Sequence, residues 1–245
     1  KQAEERAAEL YGSEETHYLV NGSTSGILAA ISGCTAAGGT VLLARNSHKS
    51  AYHAVLLRGL HVHYIYPQPA GKMGINGPVT AENVDRLLEE HPETKMVYIT
   101  SPTYDGVVSD VEQIAEVVHR RKLPLIVDEA HGAHFPFSEQ FPRDSVSCGA
   151  DVVIHSVHKT LPSLTQTALI HLNGDLINRE KIRYFLGVYQ SSSPSYVMMA
   201  GIDQCMEWVS SHRKEFDFFA QRLQEVRAEL RKLQALELLE VPGID

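Results

Sequence analysis

Seven times along the chain a short run of apolar or β-branched residues stops at small, polar or charged residues, and at least five of these runs lead on into a helical pattern. No other feature constrains the fold as much. Strand–helix–strand crossovers set successive strands parallel and lay the helices across the sheet. The runs are 16–20, 40–44, 61–65, 96–100, 123–127, 151–156 and 167–172, with helical patterns at 27–31, 51–57, 81–90, 111–121 and 175–187. They predict an α/β fold of three layers, a mainly parallel seven-stranded sheet with helices on both faces. Only ten residues, 157–166, separate the last two runs, and 161–166 make the turn back. A return that short suits an antiparallel neighbour, since a parallel crossover needs a dozen or more residues. Residues 1–11 read as a polar helix with Ala7, Ala8 and Leu10 at helical spacing and Gly12 as its C-cap. After Tyr196 a long helical region carries Phe219, Leu223, Val226, Leu230 and Leu233 in steps of three and four, which predicts a packing face.

In an open parallel sheet, ligands bind where the C-terminal ends of the strands meet helix N-termini, and the residues at those ends are unusual. After the first run come Asn21-Gly22-Ser23-Thr24-Ser25-Gly26, glycines and hydroxyls before a helix. Two readings compete: an anion site built from free N–H groups and hydroxyls, or an ordinary turn capped by Ser23 or Thr24. Neither the P-loop nor the dinucleotide pattern is present. His48 sits at the second strand end, where an imidazole can stack on a flat ring or simply cap the following helix. Asp128 closes the apolar run Leu125-Ile126-Val127, where an acid is partly desolvated and needs a partner. It can cap the next turn, bind a divalent metal, or hold a protonated ring nitrogen. The missing P-loop weakens the metal reading, and His131 brings a second group to the same end. Finally, Val152-Val153-Ile154 delivers Ser156-Val157-His158-Lys159-Thr160. A lysine there either points into water or uses its amine chemically, as in a Schiff base.

Composition narrows the partners. The formal charge of −8 over 245 residues, without a basic block, argues against nucleic acid, which requires a surplus of Lys and Arg. Cys34, Cys148 and Cys205 are widely separated and odd in number, which suits neither a disulfide framework nor a zinc site and points to a reducing, cytoplasmic setting. No apolar run approaches a membrane span, and the polar start is unlike a signal peptide. No metal is expected at the site.

Taken together, the strand-end residues suit pyridoxal 5'-phosphate: Lys159 as Schiff base, Asp128 keeping the pyridine nitrogen protonated, Ser23 to Gly26 at a helix N-terminus for the phosphate, and His48 on the ring. A carboxylate beside the nitrogen favours its charged form, which is the electron sink.

The runs Asn21 to Gly26, Asn46-Ser47-His48-Lys49-Ser50, Pro102-Thr103-Tyr104-Asp105-Gly106, Asp128-Glu129-Ala130-His131-Gly132 and Ser156 to Pro162 resemble, in this order, the signatures of the bacterial ornithine/lysine/arginine decarboxylases, which have the aspartate-aminotransferase fold. The resemblance implies a PLP-dependent transferase-like large domain over residues 1–240, lacking an N-terminal segment, with 241–245 opening a small C-terminal domain. It implies that Lys159 carries the cofactor, Asp128 faces its nitrogen and His48 stacks on it. Ser23, Thr24, Ser25, Ser156 and His158 would serve the phosphate, and His131 would lie near the cofactor oxygen and the substrate. Lys159 or His131 would protonate the product carbon. A dimer or higher homo-oligomer is implied, with Ser192 and Ser193 reaching the partner's phosphate site. The activity implied is decarboxylation of arginine, lysine or ornithine. An aminotransferase or lyase reaction on the same cofactor, and a non-catalytic cofactor-binding relative, are the alternatives.

Overall fold

In the computed structural model, which describes residues 1–70, 72 and 74–240, the alternation read from the sequence becomes one central sheet. The first half runs α1 (Gln2–Tyr11), β1 (Glu15–Leu19), α2 (Gly22–Cys34), β2 (Thr40–Ala44), α3 (Lys49–Arg58) and β3 (His61–Ile65). A small hairpin of β4 (Pro69–Ala70) and β5 (Ile75–Asn76) occupies the expected loop, followed by α4 (Ala81–Glu90) and β6 (Thr94–Thr100). Next come α5 (Val111–Arg120), β7 (Leu125–Asp128), β8 (Val152–His155), the single-turn α6 (Val157–Thr160) and β9 (Ala168–Leu172). Helices α7 (Arg179–Tyr189), α8 (Tyr196–Ser211) and α9 (Arg213–Leu230) complete the order.

The seven-stranded sheet has the order β1-β9-β8-β7-β6-β2-β3. The pairs β2/β3, β2/β6, β6/β7 and β7/β8 are parallel, whereas β9 runs antiparallel to both β1 and β8, as its short return requires. Each central strand is buried on both faces, and its side chains alternate between two cores. On β8, Val152 and Ile154 join Ile27, Ile31, Ile182 and Leu186 of α2 and α7. Val153 turns the other way, toward Leu87, Ile114 and Val118 of α4 and α5. On that second side, Tyr11, Ile202, Met206 and Phe216 cover the neighbouring strands. Each fully buried aliphatic side chain contributes roughly 1.5–3 kcal/mol.

Helix α2 lies deepest, with eight of its thirteen residues buried. Two glycines allow this approach. A Cβ on Gly33 would sit 2.4 Å from Ile182 Cγ1 and 3.0 Å from its Cα, and one on Gly26 would sit 2.6 Å from Leu19 Cδ1. The helix is thereby pinned between α7 and the sheet, and its N-terminus is fixed at the strand ends.

Three expectations are corrected. Helix α2 starts at Gly22, so 22–26 is the first turn of the helix itself rather than a turn before it. Helix α7 starts at Arg179, where Asn178 caps it by accepting from the Lys181 N–H at 2.9 Å. The long C-terminal helical region breaks at His212 into α8 and α9, and the stripe on α9 is not buried. Phe219 is 53% exposed and Leu223, Val226 and Leu233 are also exposed, because only Phe216 and Ala220 of that helix reach the core. Residues 241–245, expected to begin a further domain, lie outside the described residues. Among the described residues no helix is long and apolar enough to cross a membrane.

Candidate active site

The C-terminal ends of β1, β2, β6, β7 and β8 open onto one cleft of about 720 Å³. Ser23, Thr24, His48, Asp128, His131, Ser156, His158 and Lys159 all line it. Asn21, Gly22, Asn46 and Tyr104, which stand in the strand-end runs without an individual role read for them, line it too, as do Thr100 and Gln166.

At one end is the N-terminus of α2. Its N-cap is Asn21 rather than Ser23 or Thr24, and no side chain caps it. The Asn21 Oδ1 accepts instead from the Ser191 N–H at 3.1 Å. Ser23 and Thr24 therefore stand in the first turn with their hydroxyls free of capping duty. The Ser23 and Ser156 hydroxyls hydrogen-bond each other. His158 Nδ1 donates to the Thr167 carbonyl at 2.8 Å, which fixes the ring and leaves Nε2 for a ligand. Uncapped N–H groups, the positive end of the helix dipole and three hydroxyls are an arrangement that can receive an anion. Ser25 does not belong to the lining: it is buried, and its hydroxyl donates to the Gly22 carbonyl at 2.8 Å. Ser192 and Ser193 are exposed and also lie outside the lining. They hang from its lip, since Ser193 N–H donates to Ser191 Oγ at 3.1 Å and Ser191 is tied to Asn21.

Asp128 forms the floor. Its carboxylate accepts from the Tyr98 hydroxyl and the Ala130 N–H, each at 3.2 Å. The capping reading is thus realised in part, through Ala130. Burial pushes the Asp128 carboxyl above its usual range, against the opposing pull of the Lys159 charge and these two donors. An acid held so weakly is stabilised as an anion by any further cationic donor entering the cleft. The group of metal-type side chains found among the described residues, His63, His91 and Glu93, does not include Asp128.

Lys159 reaches in from α6, and its Nζ lies 2.9 Å from His131 Nε2. A lysine ammonium only donates, so His131 accepts through Nε2 and carries its proton on Nδ1. Burial lowers the Lys159 pKa, although Asp128 opposes this. Burial also lowers the His131 pKa, with the charge of Lys159 and then His48 acting the same way. Of the two roles read for it, His48 takes the capping one and also lines the cleft. As N-cap of α3 its Nδ1 accepts from the Ser50 N–H at 3.3 Å, and the ring still lines the cleft, with its pKa lowered chiefly by burial. Tyr104 meets His131 edge-on, with ring centroids 5.8 Å apart.

Two buried acceptors on the cleft wall, Asn46 Oδ1 and Thr100 Oγ1, have no hydrogen-bond partner. An unsatisfied buried polar atom costs about 1–3 kcal/mol, so both favour a polar ligand. Asn46 sits two residues before His48 in a strand-end run and could have been noticed there. Tyr98, inside an apolar strand, carries no such signal.

The sequence matches the family model described as "Orn/Lys/Arg decarboxylase, major domain" over residues 1–243. The chain is 42% identical over 210 residues to the uncharacterized protein YaaO of Bacillus subtilis, covering 85% of this chain and 44% of that protein. It is 34% identical over 203 residues to an arginine decarboxylase of the same organism, covering 83% of this chain and 41% of the other. It thus spans less than half the length of these relatives. The fold resembles that of the Francisella novicida lysine decarboxylase LdcF, with a TM-score of 0.79 and 21% identity over 97% of this chain and 35% of that one. By its sequence match the chain belongs to the Orn/Lys/Arg decarboxylase family.

Proposed function

We propose that the protein carrying this domain is a pyridoxal-phosphate-dependent decarboxylase of a basic amino acid, arginine, lysine or ornithine, with residues 1–240 as its cofactor-binding domain. One observation carries the reading. A partly desolvated amine at Lys159, a buried acid at Asp128 and the uncapped, hydroxyl-lined end of α2 open on the same cleft. The unpartnered Asn46 Oδ1 and Thr100 Oγ1 add acceptors that a polar, flat ligand would satisfy. The residues present therefore fit the cofactor.

When bound, pyridoxal phosphate supplies an electrophilic aldehyde and a cationic ring that takes up the electron pair left as CO2 departs. Lys159 would hold it covalently through Nζ, a task favoured by a lowered pKa that increases the neutral fraction of the amine. Asp128 would accept from the ring N–H and keep it charged. The α2 N-terminus, Ser23, Thr24, Ser156 and His158 would hold the phosphate. His48 would cover one face of the ring. Lys159 and His131 form a pair at 2.9 Å that can hold one proton and pass it to the product carbon.

The relatives' printed names support the substrate class, and the family supports placing the reaction in amine and polyamine metabolism. A homodimer, with Ser192 and Ser193 of one subunit extending the phosphate site of the other, fits the exposed position of this segment at the cleft lip. The free cysteines Cys34, Cys148 and Cys205 support a cytoplasmic setting. The test is to incubate full-length protein and cofactor with arginine, lysine and ornithine. Release of CO2 and the matching amine is expected from one of them. Keto acid as the product would move the reaction to transamination and overturn the proposal.

A further inference from the structure

At the other edge of the sheet, away from the cleft, three metal-ligating side chains converge: His63 on the edge strand β3, His91 at the C-cap of α4, and Glu93 in the turn into β6. His63 Nε2 lies 3.0 Å from Glu93 Oε1, and His91 Nδ1 lies 3.8 Å from the same oxygen. The two imidazoles are stacked face to face, 3.4 Å between centroids and 8° between planes. All three candidate ligand atoms lie within 4.8 Å of one another. The geometry points to a binding site for a first-row divalent transition cation, Zn²⁺ being the type case, with His63, His91 and Glu93 as its protein ligands.

The distances suit a cation. Ligand bonds of about 2.0–2.1 Å at tetrahedral angles place ligand atoms about 3.3 Å apart. The observed 3.0 and 3.8 Å straddle that value. The stacked rings hold their lone pairs in parallel planes, so a cation would turn the imidazoles out of the stack, a movement their partial exposure permits. The ligand set also selects the class of ion: two imidazoles and one carboxylate suit Zn²⁺, Co²⁺, Ni²⁺ or Cu²⁺, whereas Ca²⁺ and Mg²⁺ require oxygen ligands.

The scaffold is fixed while the ligands remain accessible. His63 is paired with Leu42 across β2/β3, the His91 N–H donates to the Leu87 carbonyl at 3.0 Å, and the Thr94 N–H donates to the His91 carbonyl at 3.1 Å. The side chains of His63, His91 and Glu93 are 33%, 28% and 51% exposed, so water can fill a fourth position. A contrasting cluster shows what an ordinary ion pair looks like here. His17 sits between Glu15 at 2.6 Å and Glu4 at 3.5 Å, a single imidazole whose pKa its two acids hold up against burial. A bound cation would clip the edge strand β3 to the turn between α4 and β6.

The test is Zn²⁺ binding by competition with a chromophoric chelator, together with the visible absorption of Co²⁺, on the wild-type protein and on His63→Ala, His91→Ala, Glu93→Gln and His17→Ala. One site per chain is expected, with the Co²⁺ absorption of a four-coordinate ion. His63→Ala and His91→Ala are expected to weaken it by at least about tenfold, Glu93→Gln to weaken it less, and His17→Ala to leave it unchanged. Thermal unfolding with and without Zn²⁺ supplies a second readout, in which the metal-dependent rise in Tm disappears in the double variant His63→Ala/His91→Ala. Zn²⁺ affinity in that double variant equal to wild type would overturn the assignment.

Discussion

Asp128 and Glu129 follow each other at the end of β7, are each only 2% exposed, and meet opposite surroundings. Asp128 faces the cleft with two donors at 3.2 Å. Glu129 faces the other side of the sheet, where its carboxylate accepts from Ser145 Oγ at 2.7 Å, from Ser145 N–H at 3.1 Å and from His155 Nε2 at 2.7 Å. The network continues from His155 Nδ1 to His171 Nε2 at 3.0 Å and from His171 Nδ1 to Thr16 Oγ1 at 2.8 Å. Every link can be satisfied at once, for example with Thr16 donating to His171, His171 to His155 and His155 to Glu129. Tyr11 closes over the two rings at 5.0 and 4.6 Å. The network is thus satisfied internally, whereas Asp128 has only two donors, each at 3.2 Å, and the cleft wall beside it keeps unpartnered acceptors at Asn46 and Thr100. Equal burial with unequal satisfaction separates a structural acid from one awaiting a ligand.

Substitutions on the two faces break this comparison most directly. Glu129→Ala should destabilise the fold by about 3–5 kcal/mol, because it leaves His155 and Ser145 buried without their acceptor; denaturant unfolding measures it. A value below that of an ordinary surface change would show the network to be dispensable. Asp128→Asn should have little effect on unfolding while lowering kcat by about a hundred- to a thousandfold, the usual scale for losing one charge stabiliser. Equal stability losses for both variants would erase the distinction between the faces.

The pH dependence sharpens it further. Burial holds the His171 pKa well below 6.5, so below that pH the unfolded chain takes up a proton that the folded chain refuses. Stability from this group is complete above pH 6.5 and declines as pH falls, by up to about 1.4 kcal/mol per unit. Wild type should therefore lose stability relative to His171→Gln as pH is lowered through 6.5, and parallel curves would contradict a folded state that keeps His171 neutral. The smallest effect is expected for Tyr98→Phe, which removes one donor to Asp128 and should cost about 1 kcal/mol without cofactor. With cofactor bound the cost should shrink, since the ring N–H then serves Asp128, a difference that paired melting curves would reveal.

Most of the sheet was legible because short apolar runs and helical periodicity report burial directly, and the return at 161–166 even gave the antiparallel β9. Helix starts were less legible. Gly22 to Gly26 looks like a loop by propensity, yet tertiary packing of Gly26 against Leu19 and Ile154 holds it in helix. The stripe on α9 has core-like spacing and is exposed, since periodicity reports an apolar face without naming what it meets. In the cleft, charged or titratable residues at strand ends stood out, whereas Tyr98 and Thr100 look like core and strand residues. Ser25 was read with its neighbours Ser23 and Thr24, and only the helical turn shows it pointing away from the cleft. The Glu129–His155–His171 network was hidden because its members lie far apart in sequence and resemble single polar residues on strands.

The central claim, that Lys159 anchors pyridoxal phosphate in this cleft, is tested most directly by adding the cofactor, reducing with borohydride and locating the label by peptide mass. The expected result is a single stable pyridoxyl group on Lys159, absent from Lys159→Ala. Labelling at another lysine, or the same labelling in Lys159→Ala, would contradict it.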